Sequence, residues 1–198
     1  MIQVEPSGEN SIVLYGGANQ TITEADIHSA CATFAEGDTL LVQNETNLIA
    51  EAIQTAHDRK MRIVFNPAPM TSAIRDYPLY LVDLFVLNET EAEGLTGETD
   101  PDAIRKEMLA QYPRAGVVLT LGSKGAIYFD AETLHQESAQ AVDAIDTTAA
   151  GDTFIGFFLA ELMQSNDPAK ALAQGCRAAA ICVTRTGAAD SIPLLSEL

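Results

Sequence analysis

Positive charge is what this 198-residue chain has least of: 11 Lys and Arg stand against 28 Asp and Glu, a formal net charge of −17. No basic stripe exists for a phosphodiester backbone to follow, which argues against a nucleic-acid partner. The same imbalance means that an anionic ligand must be drawn in by local dipoles and a metal ion, against the global field. Cysteine is scarce as well. Cys31, Cys176 and Cys182 are odd in number and show no C-x-x-C spacing, so a reducing cytoplasm is expected, with the thiols as core residues. Apolar residues make up 47% of the chain, yet no run reaches the ~18 needed to span a bilayer. No basic segment followed by an apolar one opens the chain, so neither a secretory signal nor a membrane partner is expected. His28, His57 and His135 fall on separate elements without metal-ligand spacing, and no Ser-His-Asp or Cys-His set can be read. Neither a Walker A loop nor a G-x-G-x-x-G fingerprint occurs. Low-complexity linkers and internal repeats are absent too, so one domain over residues 1–198 is expected, long enough for a substantial core.

What is present is alternation. Residues 2–5 and 11–15 read as strands around the turn signal Pro6-Ser7-Gly8-Glu9-Asn10, an antiparallel hairpin. Thr23 with Asp26 three residues on marks the start of a helix running to about Phe34. Apolar runs at 39–43, 62–65, 84–87 and 116–120 then alternate with helical stretches near 47–59, 72–80, 89–95 and 101–112. Short apolar runs separated by helices indicate βαβ units. After Gly122-Ser123-Lys124-Gly125, strands at 126–130 and near 133–138 read as an antiparallel edge, and helices at about 152–164 and 168–183 close the chain. The predicted class is α/β: a mostly parallel, Rossmann-like sheet with helices on both faces and antiparallel edge strands. Open parallel sheets bind ligands at the carboxyl ends of their strands. Glu45, Asn66, Asn88 and Gly122 each fall just past a strand.

The stretch Asp146-Thr147-Thr148-Ala149-Ala150-Gly151-Asp152-Thr153-Phe154 carries the sharpest signal. Small residues lead to a Gly-Asp pair where a helix opens. A helix N-terminus has unpartnered N–H groups and about half a positive charge, and so favours anions, phosphate above all. Ala149, Ala150 and Gly151 have almost no side chain to hold a ligand off the backbone, and Asp152 adds a carboxylate. On local grounds alone Asp152 reads equally as a helix cap. Asn88-Glu89-Thr90-Glu91 likewise reads as a capping pair, and Thr120-Leu121-Gly122-Ser123-Lys124-Gly125 as a glycine turn between strands.

Taken together, the strings DTTAAGDTF, NETEAE, TLGSKGA and NPAP (66–69) resemble the ribokinase-like (PfkB) family of sugar and nucleoside kinases. The resemblance implies ATP-dependent phosphoryl transfer to a sugar hydroxyl. It makes Asp152 the catalytic base, in contact with substrate, and gives Ala149, Ala150 and Gly151 the anion hole. Nucleotide-binding roles fall to Asn88, Thr120, Gly122, Ser123, Gly125, Gly151 and Cys176, a sugar contact to Glu45, and a Mg²⁺ role through bound water to Glu91. CVTRTGAADS (182–191) resembles the family's monovalent-cation loop, which implies K⁺ at Asp146, Thr148, Cys182, Arg185, Gly187 and Ser191. The family's substantial N-terminal portion, with a substrate-binding Asp, a Gly-Gly sugar element and much of the lid, is not found here. Residues 1–16 are thus expected to be a hairpin remnant of the lid or edge region. Gly16-Gly17-Ala18-Asn19 aligns with a later segment of the family pattern. The sheet edge and apolar surface left bare predict a homo-oligomer. A second reading is a truncated, non-catalytic nucleotide-binding module of the same fold.

Overall fold

Each of the four apolar runs forms one strand, and the four lie side by side in chain order. The computed structural model describes residues 15–198, and the backbone alone of Ile2–Val4 and Asn10–Ile12. Those two short segments pair antiparallel as β1 and β2, as expected of a hairpin; the turn between them lies outside the described residues. The chain divides into two compact units, Gly16–Thr120 with Phe129–Thr133, and Met1–Tyr15 with Leu121–Tyr128 and Leu134–Leu198.

The first unit holds β3 (Thr39–Gln43), β4 (Arg62–Asn66), β5 (Leu84–Asn88) and β6 (Gly116–Thr120), all parallel to their neighbours. The apolar cores of β4, β5 and β6 are buried without alternation, as strands covered on both faces must be. Phe65, Phe85, Leu84 and Leu119 are fully enclosed. β3 is half exposed along its length. The register aligns Gln43 with Asn66 and Asn88 with Thr120. Between β4 and β5 Phe65 pairs with Phe85, so the ends of β5 and β6 reach two residues further along the carboxyl edge than those of β3 and β4.

One helix precedes these strands and three more lie between them. α1 (Glu24–Cys31) begins at the expected Thr23–Asp26 capping box. It ends three residues earlier than expected, where the Thr33 hydroxyl donates to the Ala30 carbonyl at 2.8 Å and competes with the helix ladder. α2 (Ile49–Asp58) follows, then α3 (Glu89–Thr96) and α4 (Pro101–Gln111). The helix expected at 72–80 is instead two 3₁₀ segments, Ser72–Asp76 and Leu79–Leu81. Pro78 pushes Tyr77 into an extended conformation (ψ 153°) and donates no N–H.

The second unit contains β7 (Ala126–Phe129) except its last residue, and β8 (Leu134–Glu137). α5 (Ala150–Ser165) and α6 (Pro168–Cys182) pack closely against each other. Gly175 permits the approach: a Cβ there would lie 2.9 Å from the Phe154 ring. Cys31, Cys176 and Cys182 are buried free thiols, as expected. No helix among the described residues is long and apolar enough to cross a membrane.

Candidate active site

The carboxyl edge of the parallel strands is a continuous polar network. Asn88 ends β5 and caps α3: its side-chain oxygen accepts from the Glu91 N–H at 2.8 Å, and Glu91 reaches back to the Asn88 N–H at 2.9 Å. The capping reading of this pair is therefore correct. Glu91 does more, because it is a buried carboxylate on which three donors converge. Its Oε2 accepts from the Asn88 N–H and from the Asn66 side-chain amide at 3.0 Å, and its Oε1 accepts from the Asn88 side-chain amide at 2.9 Å. Burial pushes the Glu91 carboxyl above the usual range, and the hydrogen bonds from Asn88 and Asn66 oppose that rise. Thr120, at the end of β6, donates to the Leu87 carbonyl at 3.2 Å.

Four hydrogen bonds saturate a carboxylate's lone pairs, and the three found on Glu91 leave one open, on Oε1. No group of three or more His, Cys, Asp or Glu side chains among the described residues could hold a metal ion. A lone carboxylate suits Mg²⁺, which keeps several waters and is held mainly by substrate phosphates rather than by a protein cage.

Glu45 is exposed just past β3. The stretch Gly17–Gln20 reaches the same loop, with the Gln20 amide donating to the Glu45 carbonyl at 3.2 Å and the Asn47 N–H to Asn19 at 3.1 Å. Nothing in the local sequence signals that pairing, which bridges more than 20 residues.

In the second unit, α5 opens two residues earlier than expected. Ala149, not Asp152, occupies the N-cap, and no side-chain hydrogen bond caps the helix. The cap reading of Asp152 is thereby corrected: it is the third residue of the helix, and it is exposed. Ala149 adopts φ 61°, a left-handed conformation that costs a non-glycine residue about 1–2 kcal/mol. The Ala150 N–H donates to the Thr147 carbonyl at 3.2 Å, and the Thr153 N–H to the Ala149 carbonyl at 2.8 Å. Gly151 is exposed, and a Cβ there would meet nothing within 4 Å. Packing therefore does not require glycine at 151; close approach of a ligand to the backbone would.

Behind this turn the residues assigned to a cation loop converge. Asp146 is buried and accepts from the Thr148 N–H at 2.9 Å and the Gly187 N–H at 3.0 Å. Hydrogen bonds from Thr148 above all, with that from Gly187, hold its carboxyl below the usual range. The Cys182 thiol lies 3.2 Å from the Ser191 hydroxyl and 3.8 Å from the Thr148 carbonyl. Arg185 turns its guanidinium to Glu197, at 2.6 Å, and its N–H donates to the Cys182 carbonyl at 3.0 Å. Asp146 is thus tied to Thr148 and Gly187, and the Cys182 thiol to Thr148 and Ser191.

Gly122 and Ser123 are exposed in a 3₁₀ turn. Gly125 has a structural requirement of its own, with φ 102° and a backbone carbonyl, that of Glu137, where a Cβ would fall. Cys176 lies inside α6, its thiol pushed up to about 11 by burial, with the charge of Glu137 adding to the effect. It is a neutral wall, not a nucleophile.

Comparison with known proteins fixes the lineage. The pfkB family carbohydrate kinase profile matches residues 1–195. The ribokinase of Haemophilus influenzae is 40% identical over 202 residues, which take in 99% of this chain and 66% of that protein. The crystal structure of ribokinase from Thermotoga maritima superposes with a TM-score of 0.83 at 33% identity, over 99% of this chain and 66% of the other. Ribokinase from Cryptococcus neoformans, solved in complex with ADP, gives 0.82 at 30% identity, over 99% and 68%. The chain thus spans about two thirds of the length of the relatives it matches. The predicted α/β class holds, and the chain belongs to the pfkB family of carbohydrate kinases.

Proposed function

We propose that this chain transfers the γ-phosphoryl group of ATP to a sugar hydroxyl. The observation that carries the reading is the turn into α5, where a glycine with no packing requirement and an exposed aspartate follow a strained alanine N-cap. Strain of this kind concentrates where a ligand is bound. Asp152 takes the proton of the attacking hydroxyl as that oxygen bonds to the γ-phosphorus; the bond from phosphorus to the bridging oxygen breaks, and ADP departs. The backbone N–H groups around Ala149, Ala150 and Gly151 hold the charge that develops on the transferred group. Positioning and charge stabilisation supply most of the rate in such reactions. Glu91 would hold Mg²⁺ through bound water, and the ion would supply neutralisation of the nucleotide phosphates. Asn88, Thr120, Gly122, Ser123, Gly125 and Cys176 line the nucleotide, and Glu45 contacts the sugar. Asp146, Thr148, Cys182, Arg185, Gly187 and Ser191 would hold K⁺. The chain works in the cytoplasm as a homo-oligomer, with the half-exposed β3 as a sheet edge open to pairing.

A second reading is a nucleotide-binding module of the same fold without turnover. A coupled ADP-release assay over a sugar panel headed by ribose, run alongside calorimetric titration with Mg-ATP, separates the two. Turnover on at least one sugar is expected. Binding of Mg-ATP with no ADP release on any sugar would establish the second reading instead.

A further inference from the structure

The contact between Glu91 and Asn66 lies outside both the capping box and the roles proposed above. Asn66 is the last residue of β4 and is buried. Its amide nitrogen donates to the Val86 carbonyl at 2.8 Å and to Glu91 Oε2 at 3.0 Å, while its oxygen accepts from the Gln43 amide at 2.8 Å. These partners admit one orientation of the amide. Exchanging its oxygen and nitrogen would set an oxygen against two acceptors and an NH₂ against another NH₂. Gln43 and Asn66 are register partners on β3 and β4, so the sheet itself holds the pair in place.

The consequence falls on Glu91. The capping box alone would leave one lone pair open on each carboxylate oxygen. With Asn66 in place both lone pairs of Oε2 are committed, and only Oε1 can accept a further hydrogen bond. The polar donors converging on this carboxylate come from the ends of two strands, which are more rigid supports than loops.

We infer that Asn66, steadied by Gln43, is a positioning residue that presents a single oxygen of Glu91 to the hydrated metal ion. This inference rests on the metal role proposed for Glu91. Removing a group that orients a ligating side chain typically costs about 10–100-fold in metal affinity. A residue with only a packing role would weaken every ligand together.

Calorimetry with ATP in excess Mg²⁺, and again in EDTA, separates these effects in the wild-type chain, Asn66→Ala and Gln43→Leu. The Kd for Mg-ATP should rise about 10–100-fold in Asn66→Ala while that for metal-free ATP moves less than about twofold. Gln43→Leu should shift Mg-ATP in the same direction by less. Its site is only half-buried, so it decides the matter if Asn66→Ala fails to fold by its melting curve. Equal losses with and without metal, or no loss in either variant, would overturn the inference while leaving the kinase reading intact. A wild-type chain that binds ATP equally well in Mg²⁺ and EDTA would sink both.

Discussion

Glu91 and Asp152 are both the third residue of a helix, and the chain treats them in opposite ways. Glu91 follows an asparagine N-cap and is buried, accepting from amide donors at the ends of two strands. Asp152 follows an alanine N-cap in a left-handed conformation and is exposed. An asparagine, serine or aspartate at 149 would satisfy a first-turn N–H with its own side chain. Alanine forgoes that stabilisation, and the N–H groups of the turn are left without a side-chain cap. One carboxylate is buried under a side-chain cap; the other is exposed at a turn without one. The difference teaches that two helix N-termini of the same chain can be buried and capped or exposed and uncapped, according to the residue at the cap.

Substitutions can break this contrast from either side. The largest effect belongs to Asp152→Asn, which should reduce turnover in the ADP-release assay by about 10²–10⁴-fold. Because the side chain is exposed, unfolding free energy should change by less than about 0.5 kcal/mol. Gly151→Ala adds a methyl group that meets nothing in the protein. It should fold normally yet lower turnover by up to about 10²-fold, since small displacements of a reacting group are costly. Normal turnover in that variant would mean that no ligand approaches the backbone there.

Glu91→Ala acts on the opposite side of the contrast. It strips acceptors from the buried Asn66 amide and from the Asn88 N–H, and should cost about 1–3 kcal/mol in denaturant unfolding for the buried group left unpaired. Asp146 gives the smallest, pH-dependent effect. Its carboxyl is depressed in the folded chain, so it contributes stability that is present above the unfolded pKa, near 3.8, and lost as pH falls through the lower folded value. The stability difference between wild type and Asp146→Asn should be widest near neutral pH and shrink steadily below about pH 4.

Much of this architecture was legible in the sequence because it is local. The apolar runs at 39–43 and 116–120 became strands with the predicted bounds, and Thr23–Asp26 set the start of α1. Where local signals compete the reading failed, as at Tyr77-Pro78, where a proline outweighs an amphipathic pattern. The start of α5 was misplaced because alanine carries no mark of a left-handed backbone. The network through Gln43, Asn66 and Glu91 was invisible for another reason. Its contacts span 23 and 25 residues, and only the register of the parallel strands brings those positions together. Asn66 was singled out just past a strand, but nothing nearby in sequence names its partners.

The central claim is that the turn into α5 receives the transferred phosphate, and backbone amide resonances test it most directly. In ¹⁵N-labelled protein titrated with ADP and a phosphoryl mimic such as aluminium fluoride in the presence of Mg²⁺, the amides of Ala150, Gly151 and Asp152 should shift in a saturable manner, Gly151 among the most strongly. Saturable binding that leaves those three amides unmoved would contradict the account.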